Sequence, residues 1–283
     1  MKTPLNYRYP PMIHFTKLHG NGNDFILIDE YKTEKIPEKE KPAFAEKYCR
    51  RRFGIGADGV LFITKSGKAD IKMRIFNADG SEAEMCGNGI RCLVKYALDE
   101  GYISREAHVE TMAGVLSITS RVEDKTWVSV NMGMPAFSRK DIPAKGSGEF
   151  LEINMHGYSV SAANTGVPHA VVRVDSLDAP ELMHDAPKLR YDPVFPKGTN
   201  VNFVHVDSGN EITVRTYERG VEDETLSCGT GSVACAAVCR RLGWTGEKVR
   251  VHTKGGELVI TLTDEGAFME GPAERVFDGT LNV

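Results

Sequence analysis

One short motif occurs twice in this chain, about half its length apart. Residues 86–89 read C-G-N-G and residues 228–231 read C-G-T-G, and an apolar run with helical spacing follows each motif. The pattern predicts a helix beginning at each cysteine, where unpaired backbone N–H groups favour a thiolate. We therefore expect each cysteine pKa to lie below its usual value of about 8.5. The repetition predicts two copies of one unit that share a site.

The similarity between the two copies extends upstream of the cysteines. Residues 74–77 read R-I-F-N before the first motif, and residues 215–218 read R-T-Y-E before the second. Acidic residues separate the predicted strand from the cysteine in both copies, and a weaker match relates residues 22–28 to residues 166–172. Two unrelated strand–turn–helix units are the alternative, but four features matched in order favour a duplication.

Length and composition indicate an ordinary globular protein. The 283 residues carry a net charge of −4, and 41% of them are hydrophobic. A chain of this size favours two domains, and the charge indicates neither a nucleic-acid nor a membrane partner. The N-terminal residues lack the apolar segment of a signal peptide. Six cysteines without such a segment predict reduced thiols and a cytoplasmic location.

The pattern of strands and helices predicts an α+β fold. Each half is rich in strands and carries one long helix, over residues 91–100 and 231–242, and a further helix is predicted over residues 42–52. Gly and Pro near residue 133 mark the predicted boundary between an N-terminal domain, 12–132, and a C-terminal domain, 133–271. Residues 272–283 are predicted to return as a strand to the first domain, and residues 1–11 to form an extended tail.

Two other motifs have simpler explanations. Gly54, Gly56 and Gly59 match the dinucleotide fingerprint, but a predicted helix precedes them and a strand follows, which is the reverse of the required order. We interpret this segment as a turn.

The cysteines do not have metal-ligand spacing. No C-x₂-C pair and no H-x₃-H pair occurs, so no metal site is predicted. Cys49, Cys92, Cys235 and Cys239 are interpreted as small buried residues.

The two repeated cysteines suggest proton transfer at a carbon atom. The N–H groups of residues 87–89 and 229–231 would form two anion-binding cradles facing each other. A carboxylate held by both would place its α-carbon between two thiols, one able to remove the α-proton and the other able to return it on the opposite face. Such chemistry needs no cofactor.

Three further residues are candidates for this site. His169 could tune one thiol, although a lone histidine is more often structural. Glu218 is followed by Arg219, a charge pair suited to an amino-acid substrate, although Glu218 could equally be a surface carboxylate.

With these residues assembled, the chain resembles the diaminopimelate epimerase family. The resemblance covers nearly the whole chain from about residue 13. It is carried by residues 17–25 (K-L-H-G-N-G-N-D-F), 74–82 (R-I-F-N-A-D-G-S-E), 86–92 (C-G-N-G-I-R-C), 168–169 (P-H), 199–201 (T-N-V), 217–220 (Y-E-R-G) and 228–231 (C-G-T-G).

The resemblance implies two pseudo-symmetric domains, each a sheet wrapped around a central helix, with the site in the cleft between them. It implies interconversion of LL- and meso-2,6-diaminopimelate, in lysine and peptidoglycan precursor synthesis, with neither pyridoxal phosphate nor metal. A small amino-acid substrate and a homodimer are the expected partners. The implied catalytic residues are Cys86, Cys228, His169 and Glu218. The implied substrate contacts are Asn23, Asn77, Gly87, Asn88, Asn200, Glu218, Arg219, Gly229 and Thr230.

The chain departs from the family pattern at two positions. Val167 stands where the family usually has an asparagine that grips the distal end of the substrate, and Asn164 or Thr165 is the expected substitute. Gly59 stands where many members have glutamine. Both departures concern substrate grip and leave the proton chemistry unchanged.

Two other functions stay open at this point. A proline or hydroxyproline racemase would use the same fold and paired cysteines, but its ring substrate has no distal amino acid for Asn200 and Arg219 to hold. A thiol redox or binding protein would show a reversible change in thiol titre and no hydrogen exchange at an α-carbon.

Overall fold

The structure is a computed structural model that describes residues 12–282, and the predicted tail over residues 1–11 lies outside the described residues. The first half of the chain forms eight strands and two α-helices. Its elements are β1 (Met12–Gly20), β2 (Asn23–Asp29), a 3-10 turn (Glu38–Glu40), α1 (Lys41–Tyr48), β3 (Gly59–Thr64), β4 (Ile71–Asn77), β5 (Glu82–Ala83), α2 (Gly87–Asp99), β6 (Glu106–Thr111), β7 (Gly114–Val122) and β8 (Thr126–Asn131).

The second half follows the same plan with one added strand at its start. Its elements are β9 (Ile153–Met155), β10 (Tyr158–Asn164), β11 (Pro168–Arg173), α3 (Glu181–Arg190), β12 (Asn200–Ser208), β13 (Glu211–Glu218), β14 (Asp223–Thr225), α4 (Gly229–Arg241), β15 (Lys248–Thr253), β16 (Gly256–Thr263) and β17 (Gly266–Asn282).

Strand pairing repeats between the halves. In the first half β2 pairs parallel with β3, β3 antiparallel with β4, and β4 parallel with β6. In the second half β11 pairs parallel with β12, β12 antiparallel with β13, and β13 parallel with β15. The long helix enters at the same place in each series, after β5 and after β14. The predicted duplication and the predicted α+β fold are therefore confirmed.

The last strand, β17, joins the two halves into one continuous sheet. Its first part pairs antiparallel with β16 and β8, and its last part pairs antiparallel with β1 at the start of the chain. The proposed domain boundaries, 12–132 and 133–271 with a returning strand from 272, stay predictions.

Each half wraps its sheet around its own long helix. Leu93 and Val94 of α2, and Val233 and Val238 of α4, are fully buried in separate apolar cores. Burying one such side chain stabilises the folded state by about 1.5–3 kcal/mol. The two cores therefore hold each long helix in place against its own sheet.

The cysteines outside the two repeated motifs behave as predicted. Cys92, Cys235 and Cys239 are fully buried in the helix cores, and Cys49 is buried beside α1. All six cysteines are free thiols. Among the described residues, no helix is both long and apolar enough to cross a membrane.

Several element boundaries differ from the sequence predictions. α1 ends at Tyr48 and not at residue 52, and the predicted strand over residues 109–119 is two strands, because the chain turns back before Gly114, whose φ is +128°. Both long helices begin directly after their cysteine, as the repeated motif predicts, and a few residues before the predicted bounds of 91–100 and 231–242. The turn predicted over residues 54–59 is confirmed, since these residues connect α1 to β3.

Candidate active site

The first turns of α2 and α4 meet at the junction of the two halves. Cys86 and Cys228 are the N-cap residues of these helices, and both have an extended backbone. The Cα atom of Gly87 lies 4.0 Å from the position that a Cβ atom on Gly229 would occupy. The two helix N-termini, with their outward-facing N–H groups, therefore surround one small region.

Glycine at both contact positions leaves room for Met269 of β17, which lies beside them. A Cβ atom on Gly87 would come within 2.6 Å of Met269 Cε, and one on Gly229 within 2.8 Å of Met269 Sδ. The absence of a side chain thus lets the two helices approach each other and leaves their backbone N–H groups accessible to a ligand.

Cys86 is half-buried and lies among hydrogen-bonding groups. Its Sγ accepts from the backbone N–H of Gly89 at 3.4 Å and donates to Asn23 Oδ1 at 3.8 Å. Burial raises the pKa of this thiol, while the N–H groups of Gly89 and Asn88 act in the opposite direction.

Cys228 is buried at the start of the other helix. Its Sγ lies 3.5 Å from Thr230 Oγ1. Burial raises the pKa of this thiol strongly, and the nearby Glu218 carboxylate raises it further. The prediction that both cysteines have lowered pKa values is therefore wrong, because the cost of burying a thiolate outweighs the helix N–H groups.

Glu218 ends β13 close to both thiols, since its negative charge contributes to the raised pKa of each. Burial raises the pKa of Glu218 itself, and the charge of Asp58 adds to this effect. Glu218 is half-buried and its charge acts on both thiols, so it belongs to the same region as the cysteines.

Asn23 and Asn88 form a hydrogen-bonded pair next to Cys86. Asn88 Nδ2 donates to Asn23 Oδ1 at 3.1 Å and to the backbone carbonyl of Ser227 at 3.1 Å. Arg91 Nη2 donates to Asn88 Oδ1 at 2.8 Å, which fixes the orientation of the Asn88 carboxamide. Arg91 is fully buried, and within residues 12–282 no acidic side chain forms a salt bridge with it. Burial lowers the pKa of Arg91 to about 10.

Asn200 and Arg219 lie together on the C-terminal half. The backbone N–H of Arg219 donates to Asn200 Oδ1 at 2.8 Å, and Asn200 Nδ2 donates to the Pro168 carbonyl at 3.0 Å. The Arg219 guanidinium donates to the Lys197 carbonyl at 3.3 Å. The Asn200 side chain is thus held between the Arg219 backbone and the segment that carries His169.

Asn77 ends β4 on the other half, opposite Gly59. Its Nδ2 donates to Ser81 Oγ at 3.0 Å. In the part of the chain that the structure describes, no hydrogen bond connects Asn77 to the asparagine pair beside Cys86 or to the Asn200–Arg219 pair.

His169 is fully buried at the start of β11. Its Nδ1 lies 3.1 Å from Asn202 Nδ2, and its Nε2 has no hydrogen-bond partner among residues 12–282. Burial, together with the neighbouring charge of Arg219, lowers the pKa of His169 to about 3. The imidazole is therefore neutral at physiological pH.

Sequence reasoning did not identify Asn202. It follows Asn200 by two positions on β12, and alternate residues of a strand face the same side of a sheet. That periodicity was the available signal, although it does not reveal the histidine partner.

The two departures from the family pattern have different local settings. Asn164 and Thr165 are the expected substitutes for Val167. Asn164 donates to the Asp141 carbonyl. Thr165 Oγ1 donates to the Thr230 carbonyl at 3.0 Å, so it contacts the first turn of α4. A Cβ atom on Gly59 would lie 2.8 Å from the Phe76 carbonyl oxygen, so any larger residue requires the backbone to move.

Comparison with solved structures defines the fold class. The chain superposes on a phenazine biosynthesis protein of the PhzF family from Bacillus anthracis with a TM-score of 0.72 at 18% identity, covering 96% of this chain and 100% of that one. It superposes on a hydroxyproline epimerase from Agrobacterium vitis with a TM-score of 0.68 at 17% identity, covering 97% and 93%. The fold is therefore that of the PhzF and proline racemase-like proteins.

Sequence comparison narrows this class to one family. The diaminopimelate epimerase family model matches residues 15–138 and 161–276. Proteins named diaminopimelate epimerase from Methanocella arvoryzae and Archaeoglobus fulgidus are 58% and 56% identical to the chain, each over 96% of it and 97% of the relative. The chain belongs to the diaminopimelate epimerase family and is an epimerase, that is, an isomerase.

Proposed function

We propose that the chain interconverts LL- and meso-2,6-diaminopimelate by a two-thiol acid–base mechanism. The observation that supports this proposal most strongly is the meeting of the Cys86 and Cys228 helix N-termini around one region. With the α-carbon between them, one cysteine acts as thiolate and removes the α-proton, and the other, protonated, supplies a proton to the opposite face. The roles exchange when the reaction runs in reverse.

The backbone at the two helix N-termini stabilises the charge that develops during proton removal. As the α-proton leaves, negative charge moves onto the substrate carboxylate, next to the N–H groups of residues 87–89 and 229–231. Burial, which raises the pKa of both thiols, makes either thiolate a stronger base once it forms. The substrate ammonium group adds a positive charge that offsets the cost of that thiolate.

The distal amino-acid end of the substrate distinguishes diaminopimelate from proline. Arg219, whose backbone N–H donates to Asn200 and whose guanidinium donates to the Lys197 carbonyl, pairs with the distal carboxylate. Asn77 completes this grip from the other half of the molecule. Glu218 accepts a hydrogen bond from an ammonium group. His169 lies beside Asn200 in the pairing of β11 with β12.

The proposed activity also implies a pathway and the absence of a cofactor requirement. The reaction belongs to lysine and peptidoglycan precursor synthesis, and the proton transfer needs neither a cofactor nor a metal. A cytoplasmic location and a homodimer stay predictions.

Turnover of pure stereoisomers tests the substrate assignment. LL-diaminopimelate, L-proline and trans-4-hydroxy-L-proline are incubated separately with the chain, and the epimers are separated chromatographically. We expect meso-diaminopimelate to form and both ring substrates to stay unchanged. Racemisation of proline without turnover of diaminopimelate would contradict the proposal.

A further inference from the structure

His169 has a buried ring nitrogen without a protein partner. Nε2 is inaccessible to solvent, and no acceptor or donor among residues 12–282 reaches it. Buried polar atoms in folded proteins are almost always hydrogen-bonded, so an orphaned one requires an explanation. Whether this nitrogen is a donor or an acceptor depends on the ring tautomer, which the surrounding hydrogen bonds determine.

The contacts of Asn202 assign that tautomer in two steps. Asn202 Nδ2 lies 2.9 Å from the Ala170 backbone carbonyl, which only accepts, so this atom must be the amide nitrogen. Thr216 Oγ1 donates to the opposite atom, Oδ1, at 2.9 Å, in agreement with this orientation. The second N–H of Asn202 therefore donates to His169 Nδ1, which must be unprotonated. The ring proton of neutral His169 then lies on Nε2.

We propose that Asn202 is a positioning residue that holds His169 as its Nε2–H tautomer, making the imidazole a neutral hydrogen-bond donor toward a carboxylate oxygen of the amino-acid substrate. This inference rests on the proposed function. It gives His169 the role of a fixed donor and not of a proton acceptor, because the nitrogen that could accept a proton is already occupied by Asn202.

The packing around Asn202 keeps its carboxamide in one orientation. Asn202 is fully buried, and a Cβ atom on Gly231 would come within 2.4 Å of its Oδ1. Gly231 belongs to the first turn of α4, three residues after Cys228, so the helix that carries the second thiol also borders the carboxamide. The charged side chain that influences His169 is Arg219. The positive charge of Arg219 lowers the pKa of His169 and so disfavours the imidazolium form.

The tautomer can be measured directly on the unmodified protein. Nitrogen-15 NMR of imidazole-labelled protein distinguishes a protonated ring nitrogen from an unprotonated one, with His169→Gln identifying the resonance. We expect a protonated Nε2 and an unprotonated Nδ1 at neutral pH. A protonated Nδ1, in either the other tautomer or the imidazolium, would overturn the proposal.

Variants of Asn202 test whether this residue sets the tautomer. In Asn202→Asp the carboxylate accepts, so we expect the ring proton to move to Nδ1. In Asn202→Leu we expect a mixture of tautomers and a loss of roughly 10- to 100-fold in kcat/KM, as when a histidine loses its orienting partner in metal sites. Thr216→Val is the matched control, because it changes the same cluster without removing either Asn202 donor, and it should keep the Nε2–H tautomer.

These outcomes separate the inference from the proposed activity. The tautomer is read without turnover, so an Nε2–H ring in a protein that fails to epimerise diaminopimelate would refute only the substrate assignment. Unchanged tautomer and unchanged kcat/KM in Asn202→Leu would refute the positioning role while leaving the activity in place.

Discussion

Asn88 donates a hydrogen bond to the backbone carbonyl of Ser227 at 3.1 Å, and this contact joins the first turn of one central helix to the residue preceding Cys228. The same side-chain nitrogen reaches Asn23 Oδ1, the acceptor for the Cys86 thiol. One carboxamide therefore connects the surroundings of both cysteines, which keeps the two helix N-termini at a fixed separation.

Removing either thiol of the pair should abolish most of the activity. Cys86→Ala and Cys228→Ala each delete a positioned acid or base, which costs roughly 10²–10⁴-fold in turnover. Epimer formation from LL-diaminopimelate and from meso-diaminopimelate is followed separately. Cys49→Ala, which deletes a buried thiol outside the site, is the control and should retain turnover. Near-full activity of either site variant would refute the two-thiol mechanism.

Methyl groups on the contact glycines should separate the helix N-termini. Gly87→Ala and Gly229→Ala place a Cβ atom against Met269, so that the Met269 side chain or the helices must shift. A misplacement of about 1 Å can cost about 10²-fold in rate, so we expect reduced kcat with a folded protein. Gly209→Ala, where a Cβ atom meets nothing within 4 Å, is the matched control. Equal activity in all three variants would show that the close approach is unimportant.

The distal grip should depend on the shape of the Arg219 side chain as well as its charge. A guanidinium can form two parallel hydrogen bonds to a carboxylate, which a lysine ammonium cannot reproduce. We expect Arg219→Lys to lower kcat/KM strongly while circular dichroism and thiol titration stay unchanged. Val167→Asn, which restores the usual family residue, should be neutral or lower KM. Unchanged kcat/KM in Arg219→Lys would remove the main reason to prefer diaminopimelate over proline.

His169 should make the stability of the fold depend on pH below neutrality. Its pKa is lowered to about 3 in the folded chain from the usual histidine value of 6.5, so between these values only the unfolded chain binds the proton. The free energy of unfolding therefore decreases as the pH falls from about 6.5 toward 3, with a slope of about 1.4 kcal/mol per pH unit from this group. Above pH 6.5 the group contributes no slope.

Comparison with His169→Gln isolates this contribution, because the other titrating groups are common to both proteins. Urea unfolding at pH 7.5, 6 and 5 should show the native chain losing stability relative to the variant as the pH falls. A constant difference between the two proteins across this range would contradict the lowered pKa.

Local patterns along the chain were sufficient to predict the paired helices and the region where they meet. The repeated C-G-x-G motif before each apolar run identified the two N-caps, because capping chemistry and helical spacing are local properties. α3 was not predicted, since Pro187 lies within it. The strand over residues 109–119 was not divided because the turn before Gly114 lacks a strong sequence signature.

The properties of the site that the sequence did not reveal are tertiary. The thiol pKa values rise because the sheets bury Cys86 and Cys228, and a motif contains no information about burial. Asn202 acts on His169 because β11 and β12 pair parallel with His169 opposite Asn200, a register that no local pattern specifies. The repeated motif thus predicted that the two helix N-termini meet, whereas strand register determines how the surrounding side chains are oriented.

The fate of the α-hydrogen tests the two-thiol account most directly. LL-diaminopimelate is converted in D₂O, and product and remaining substrate are analysed by mass spectrometry at low conversion. Because one thiol removes the proton and the other supplies one from solvent, the meso product should carry deuterium at the inverted carbon while the remaining LL substrate carries none. Product that retains its original hydrogen, or substrate that exchanges as fast as product forms, would indicate a single base and contradict the account.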